Sequence, residues 1–89
     1  MEKENLIQFI YDYNKEIKQN IEITKKDIEY KKDVLEINKK HNKNTSEVLN
    51  EITELKTILQ TLEQTQEIFN TNLEEQEIDI EEIEKYCED

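Results

Sequence analysis

Apolar residues in the second half of the chain recur at alternating steps of four and three residues. The positions are Val48, Ile52, Leu55, Leu59, Leu62, Gln66, Phe69, Leu73, Gln76, Ile80, Ile83 and Cys87. Ten of these twelve are apolar when Cys87 is counted. A seven-residue repeat, with core positions a and d spaced 3.5 residues apart on average, is typical of a helix that supercoils against another helix. The pattern predicts a coiled coil from Val48 to Cys87.

The first half of the chain has a helical pattern too, but its apolar residues fall on two faces. One face carries Leu6, Ile10, Tyr13, Ile17, Ile21, Ile28 and Leu35. The step from Ile17 to Ile21 resembles a stutter in the heptad. The opposite face carries Ile23, Tyr30, Val34 and Ile37. A helix that is apolar on both sides is usually packed between neighbours, so one companion helix cannot cover both faces.

Residues 38–47 separate the two halves and contain no apolar side chain. Asn44 and Glu47 have the spacing of a helix N-cap and its reciprocal partner. Asn42 or Asn44 could also adopt the left-handed conformation that ends a helix where glycine is lacking. We therefore expect one domain over residues 1–89, an antiparallel hairpin with helices at 2–41 and 45–87 and a connector at 42–44. A single uninterrupted rod is the alternative.

Composition supports an all-α fold that is part of a multi-helix bundle. The 89 residues include no glycine and no proline, which tight turns and hairpin loops normally require. A two-helix hairpin buries one stripe per helix, which rarely offsets the backbone entropy of nearly ninety ordered residues. We expect the chain to need partner chains in order to fold well.

The net charge of −11 is unevenly distributed. Residues 1–43 hold ten Lys and nine Asp or Glu, whereas residues 44–89 hold two Lys and fourteen Asp or Glu. Nucleic acids and anionic membranes attract the opposite charge, so neither is an expected partner. In a hairpin that pairs residue i with about 87 − i, the acids of 74–85 meet residues 2–13, which cannot neutralise them. A hetero-oligomer with a more basic chain is therefore expected over a tight homodimer.

The sequence offers no constellation suited to catalysis, metal binding or a cofactor. His41 is isolated in the connector, and Cys87 is the only cysteine. Helical arms provide no pocket for nucleophilic catalysis, and the acids of 74–89 fall mostly on a solvated helix face. No uninterrupted apolar run is long enough to cross a bilayer, and the N-terminus lacks a signal-peptide pattern. We expect no enzymatic activity, no cofactor, no membrane insertion and an intracellular location, cytoplasmic or nuclear.

Two glutamines occupy core positions of the second helix. A buried polar residue in a coiled coil fixes register and oligomeric state at some cost in stability. Gln66 and Gln76 are interpreted in this way. The alternative is that Gln66 corresponds to the central glutamine layer of a SNARE fusion bundle, flanked by apolar layers on both sides.

The chain resembles the C-terminal coiled-coil domain of the central-channel nucleoporins that anchor FG repeats in the nuclear pore. The similarity lies in "LIQFIYDYNKEI" at 6–17, in the connector after "YKKDVLEIN" at 30–38, and in the register from Ile52 to Leu73. Departures are the absence of tryptophan and of an FG-repeat region before the domain. The resemblance implies a heterotrimeric coiled coil with two related nucleoporins, at the nuclear envelope.

These observations favour a non-enzymatic scaffold that pairs with other helical proteins in a heteromeric complex. One alternative is a small acidic decoy that blocks a basic protein surface, and a second is a SNARE-like fusion helix. The expected partner interface combines the heptad positions of the second half with the second stripe of the first. Its residues are Val48, Ile52, Leu55, Leu59, Leu62, Gln66, Phe69, Leu73, Gln76, Ile80, Ile83, Ile23, Tyr30, Val34 and Ile37.

Overall fold

The computed structural model describes residues 3–88, which form three helices and no strand. Helix α1 spans Lys3–Lys40, α2 spans Ser46–Glu75 and α3 spans Ile80–Glu88. Helices α1 and α2 pack against each other along an antiparallel hairpin, and the longest dimension of the molecule is 59 Å. That length matches α1 alone, because 38 residues at 1.5 Å each span about 57 Å. The predicted all-α hairpin is confirmed.

The connector turns without glycine because Asn42 takes the left-handed conformation, with φ of 54°. The amide of Lys43 donates to the carbonyl of Asn38 at 2.9 Å, and that of Asn42 to Lys39 at 3.2 Å. This pair of bonds is the Schellman motif, which satisfies the last carbonyls of a helix. The N-cap of α2 is Thr45, whose side chain makes no capping bond. The side-chain oxygen of Asn44, one residue earlier, accepts from the Ser46 amide at 2.9 Å and satisfies that donor at the start of the helix. The left-handed conformation predicted for Asn42 or Asn44 is found at Asn42. The predicted N-cap at Asn44 is wrong by one residue, since Thr45 occupies that position.

The second helix ends earlier than predicted. The prediction was one helix over 45–87, but the chain turns at residues 76–79 before α3 begins. Glu77 has φ of 58°, and the amides of Glu77 and Ile78 bond the carbonyls of Glu74 and Leu73 in a second Schellman motif. Ile78 packs against the cluster that contains Leu73, which is the apolar contact that accompanies this motif. Burial of Ile78 stabilises a turn whose left-handed residue is not glycine.

Asp79 starts the third helix. Its side-chain oxygen accepts from the Glu81 amide at 3.0 Å, as an N-cap does. Glu81 and Glu82 lie in the first turn, where negative charge interacts favourably with the helix dipole. Asp79 and Glu82 have the same three-residue spacing that marks Asn44 and Glu47. The heptad pattern through Ile80 and Ile83 obscured this start signal.

The first helix has an unbroken heptad, so the predicted stutter at Ile17–Ile21 is wrong. Its buried residues are Ile10, Asn14, Ile17, Ile21, Thr24 and Ile28, which alternate steps of four and three. The heptad is not evident from apolar residues alone, because two of its core positions hold the polar residues Asn14 and Thr24. The Thr24 hydroxyl donates to the Asn20 carbonyl at 2.7 Å, and the Asn14 amide donates to Glu84 at 3.3 Å. Satisfied hydrogen bonds allow both side chains to occupy core positions.

The pairing between the helices is also shifted from the prediction. Tyr13 contacts Phe69 and Lys31 contacts Glu51, so the numbers of each pair add to 82 rather than 87. Although the chain turns back after Glu75, the acids beyond it still meet the start of α1, because Glu77, Asp79 and Glu82 border a cavity together with Lys3 and Ile10. Glu84 in addition pairs with Lys18 at 3.1 Å, outside the expected range. The open end therefore neutralises part of its acidic charge within the chain.

Replacing Glu77 with glycine tests the turn between α2 and α3. A left-handed residue other than glycine costs about 1–2 kcal/mol, part of which is returned by the greater freedom of glycine in the unfolded chain. We expect Glu77→Gly to raise the free energy of unfolding by about 0.5–1 kcal/mol, measured by urea denaturation followed by circular dichroism at 222 nm. The matched control Glu67→Gly, at an exposed position within α2, should lower it by about 1 kcal/mol. A continuous helix through position 77 would make both substitutions destabilising.

Candidate interaction surface

The seam between α1 and α2 divides the hairpin into two sides. The α1 residues that face α2 follow the a and d positions of a heptad, with Asn14 at a and Ile17 at d. The α2 residues do the same, with Ile52 at a and Leu55 at d. In an antiparallel pair the g positions of the two helices flank the seam on one side and the e positions on the other. The c positions lie beside g on the outer surface of each helix.

The g and c side carries an uncovered apolar surface, which we call the open face. Its members are Phe9, Tyr13, Ile23, Tyr30, Val34 and Ile37 from α1 and Leu55, Ile58, Leu62, Ile68 and Phe69 from α2. Tyr30 is 65% exposed, Phe9 57%, Ile23 56% and Ile58 49%. Single exposed apolar residues are ordinary, but a row of them that follows a heptad marks a binding surface.

Aromatic rings join the two helices at one end of the open face. Tyr13 and Phe69 meet edge to face, with ring centroids 4.9 Å apart and an interplanar angle of 60°. Phe9 stacks on Tyr13 one turn away, at 6.1 Å. Edge-to-face and offset arrangements at these distances are favourable for aromatic pairs. The three rings therefore form a preorganised apolar surface, which we call the aromatic shelf.

Farther along the open face, the two helices border a groove. Its lining residues are Asp27, Tyr30, Lys31, Glu51, Glu54, Leu55 and Ile58. The floor is aliphatic and aromatic, and the rims are mostly acidic. One ion pair, Lys31 with Glu51, crosses from α1 to α2 at this point. The hydrogen bond to Glu51 is the main cause that raises the pKa of Lys31 above 10.5.

Charge is distributed unequally between the two sides of the hairpin. The g and c positions of α1 and α2 hold six acids and no lysine. These acids are Glu16, Asp27, Glu47, Glu51, Glu54 and Glu75. The e positions hold five lysines, Lys18, Lys25, Lys32, Lys39 and Lys56, and two acids, Glu4 and Glu63. The open face is thus an apolar strip in an acidic border. The opposite side, at e and b positions, is mixed in charge, with six lysines and seven glutamates.

Helix α3 covers part of the opposite side, at e positions of α1. Glu84 accepts from Asn14 and from Lys18, and Glu88 accepts from the Tyr11 hydroxyl at 3.2 Å. Tyr11 and Tyr13 are two residues apart and so point about 200° apart around α1. The helix that contacts Tyr11 therefore lies away from the open face. Partial burial, followed by the Glu88 carboxylate, raises the pKa of Tyr11 above 10.0.

Most of the predicted interface residues of α2 lie in the seam with α1. Ile52 and Leu73 are buried, while Val48, Leu55, Leu59, Leu62, Gln66 and Phe69 are half-buried. The surface that they form is consequently intramolecular, apart from the edge that Leu55, Leu62 and Phe69 contribute to the open face. On α1, Ile23, Tyr30 and Ile37 are exposed and Val34 is half-buried. This second stripe is the part of the predicted interface that remains accessible.

The last predicted interface residues separate from the seam at the turn. Gln76 is exposed at the C-cap of α2. Ile83 is buried with Ile10 and Leu73, and Ile80 packs against that cluster. These three positions do not continue the coiled coil, because α3 folds back onto α1.

The residues considered for chemistry are dispersed. His41 is exposed, and Cys87 packs half-buried beside the cluster of Ile10 and Leu73. Within residues 3–88, no three His, Cys, Asp or Glu side chains gather in a metal-binding arrangement. None of the helices described there combines the length and apolar character needed to span a bilayer.

Sequence reasoning missed several members of the open face. Phe9 and Ile58 were not assigned to an interface, although Phe9 belongs to the same seven-residue series as Ile23 and Tyr30. The signal was the series 9, 16, 23, 30 and 37, interrupted only by Glu16. Ile58 could be placed only after the pairing of the two helices was known. The separation of the five lysines at e positions from the acids at g and c likewise required the corrected register of α1.

No protein-family model matches this sequence, and comparisons with curated proteins and with solved structures give no match.

The two raised pKa values predict a loss of stability at alkaline pH. A group whose pKa is higher in the folded state contributes stability below its unfolded pKa and loses it as pH rises through the folded value. Tyr11 should therefore contribute fully below pH 10.0 and Lys31 below pH 10.5, and each contribution should be lost as the pH rises beyond that value. Thermal unfolding between pH 8 and pH 12 measures the loss. Tyr11→Phe and Lys31→Gln should each flatten the alkaline part of the curve, and identical curves for all three proteins would contradict the assignment.

Proposed function

We propose that this chain is a non-enzymatic coiled-coil subunit that joins other helical proteins in a heteromeric assembly. The observation that carries the proposal is the open face. It is an apolar strip along both long helices that the chain's own third helix leaves uncovered. A helical hairpin that exposes large apolar residues at heptad spacing is suited to receiving another helix. The function that follows is structural: the hairpin supplies two helices of a larger bundle.

The resemblance to central-channel nucleoporins supports a more specific form of this proposal. In that form the assembly is a heterotrimeric coiled coil inside the cell, at the nuclear envelope. The hairpin topology and the half-buried Gln66 in the seam are compatible with such a bundle. Gln66 would then fix the register of α1 against α2, which also favours an alignment role over a SNARE-like fusion layer.

The acidic border favours a second candidate function. Six acids and no lysine at the g and c positions would let the chain bind a basic protein surface as a decoy for a polyanion. The two candidates differ in which force holds the partner. Packing of apolar side chains persists in concentrated salt, whereas attraction between exposed charges is screened within about 3 Å at 1 M ionic strength.

Salt resistance of the natural complex tests the proposed function. The full chain, immobilised and exposed to extract from its source cells, should retain a defined helical partner when washed at both about 0.15 M and about 1 M salt. An unrelated helical hairpin of the same net charge serves as the control bait. Mass spectrometry identifies what remains. Loss of every specific partner at high salt would contradict the scaffold function and favour the decoy.

A further inference from the structure

We propose that the open face binds one amphipathic helix with basic flanks, supplied by a different chain, in the groove between α1 and α2. This inference rests on the proposed scaffold function and adds the chemistry and position of the partner. The bound segment would convert the two-helix seam into a three-helix bundle on the side opposite α3.

The apolar floor has the length of a substantial helix. It begins at the aromatic shelf of Phe9, Tyr13 and Phe69 and continues to the groove at Tyr30 and Ile58. Along α1, residues 9 to 37 span about 42 Å at 1.5 Å per residue. A partner helix of about 28 residues would cover this span. Its a and d side chains would pack between the exposed c and g residues of α1 and the edge of α2.

The acidic residues that border the open face determine which charge a bound helix should carry. Of the six acids at g and c positions, only Glu51 forms a salt bridge within residues 3–88. Asp27 and Glu54 line the groove itself, beside Tyr30 and Ile58. Residues that flank an apolar seam determine which partner is accepted, through attraction or repulsion. Lysine or arginine beside the partner's apolar stripe would meet these carboxylates, whereas glutamate there would be repelled.

A second copy of the chain does not satisfy these requirements. Two open faces brought together would oppose acid to acid. The opposite side of another copy offers neither a net positive charge nor a broad apolar surface. Its e and b positions hold six lysines and seven glutamates, and Tyr11 and Leu49 are the only apolar residues at its e positions from 11 to 70. Tyr11 is already engaged by Glu88 of α3. Charge and apolar surface are therefore complementary only in a different chain.

Three synthetic helical peptides of about 28 residues test the charge and the apolar stripe separately. The first carries Leu and Ile at a and d with Lys at e and g. The second has the same core with Glu at e and g. The third keeps the composition of the first but scrambles its apolar positions. Fluorescence anisotropy with the full-length protein should give a dissociation constant at least tenfold lower for the first peptide than for either of the others.

Variants of exposed residues locate the binding surface without disturbing the seam. Tyr30→Lys and Ile58→Lys should each weaken binding of the Lys-flanked peptide by about tenfold or more, because each puts a positive charge on the apolar floor. Leu49→Lys is the matched control, since Leu49 is 45% exposed on the opposite side. It should leave the dissociation constant unchanged. Circular dichroism of each variant verifies that the helices are intact.

Several results would overturn the inference. These are no binding of the Lys-flanked peptide, equal binding of the Glu-flanked peptide, an equal effect of Leu49→Lys, or self-association of the chain that Tyr30→Lys abolishes. Scrambled-peptide binding as tight as that of the first peptide would also overturn it, because charge alone would then suffice. These failures are distinct from failure of the scaffold function. A salt-resistant natural partner that ignores Tyr30→Lys would leave the scaffold standing and reject only this site.

Discussion

The seam between α1 and α2 is the constraint from which the other features follow. Isoleucine side chains at a and d positions of α1 interlock with the leucines and isoleucine of α2, and this packing fixes which residues of each helix point outward. A one-residue rotation of α1 would replace Ile17 and Ile21 at the seam with Glu16 and Asn20. The register therefore determines the core and, at the same time, places Ile23 and Tyr30 on the surface.

The register also explains why the two sides of the hairpin differ. Lysines at the e positions and acids at g and c would be scattered if the helices were turned differently. In the observed register they separate, and α3 packs on the lysine side through Glu84 and Glu88. In α3, Glu84 pairs with Lys18 and Glu88 accepts from the Tyr11 hydroxyl, whereas among the six acids around the open face only Glu51 forms a salt bridge within residues 3–88. Helix α3 covers part of one side of the hairpin, and the open face on the other side remains accessible to another chain.

Sequence periodicity predicted the helical class, the hairpin and the core stripe of α2, because each rests on apolar spacing alone. It failed where polar residues occupy core positions. Asn14 and Thr24 broke the visible pattern of α1 and produced a false stutter, although their hydrogen bonds make burial possible. It also failed at Glu77, since a continuous heptad cannot reveal that burial of Ile78 stabilises a left-handed glutamate. The second stripe of α1 was visible in sequence, but its acidic border emerged only from the paired helices.

Small-angle X-ray scattering of the isolated chain tests the central claim most directly. The closed hairpin, with its acidic open face resisting self-pairing, predicts a monomer whose radius of gyration lies near the 18.2 Å of the Cα trace, plus a small increment for side chains and hydration. An uninterrupted helix of the same sequence would be about 130 Å long, with a radius of gyration of about 38 Å. A value near that of the rod, or the scattering mass of a dimer, would contradict the account.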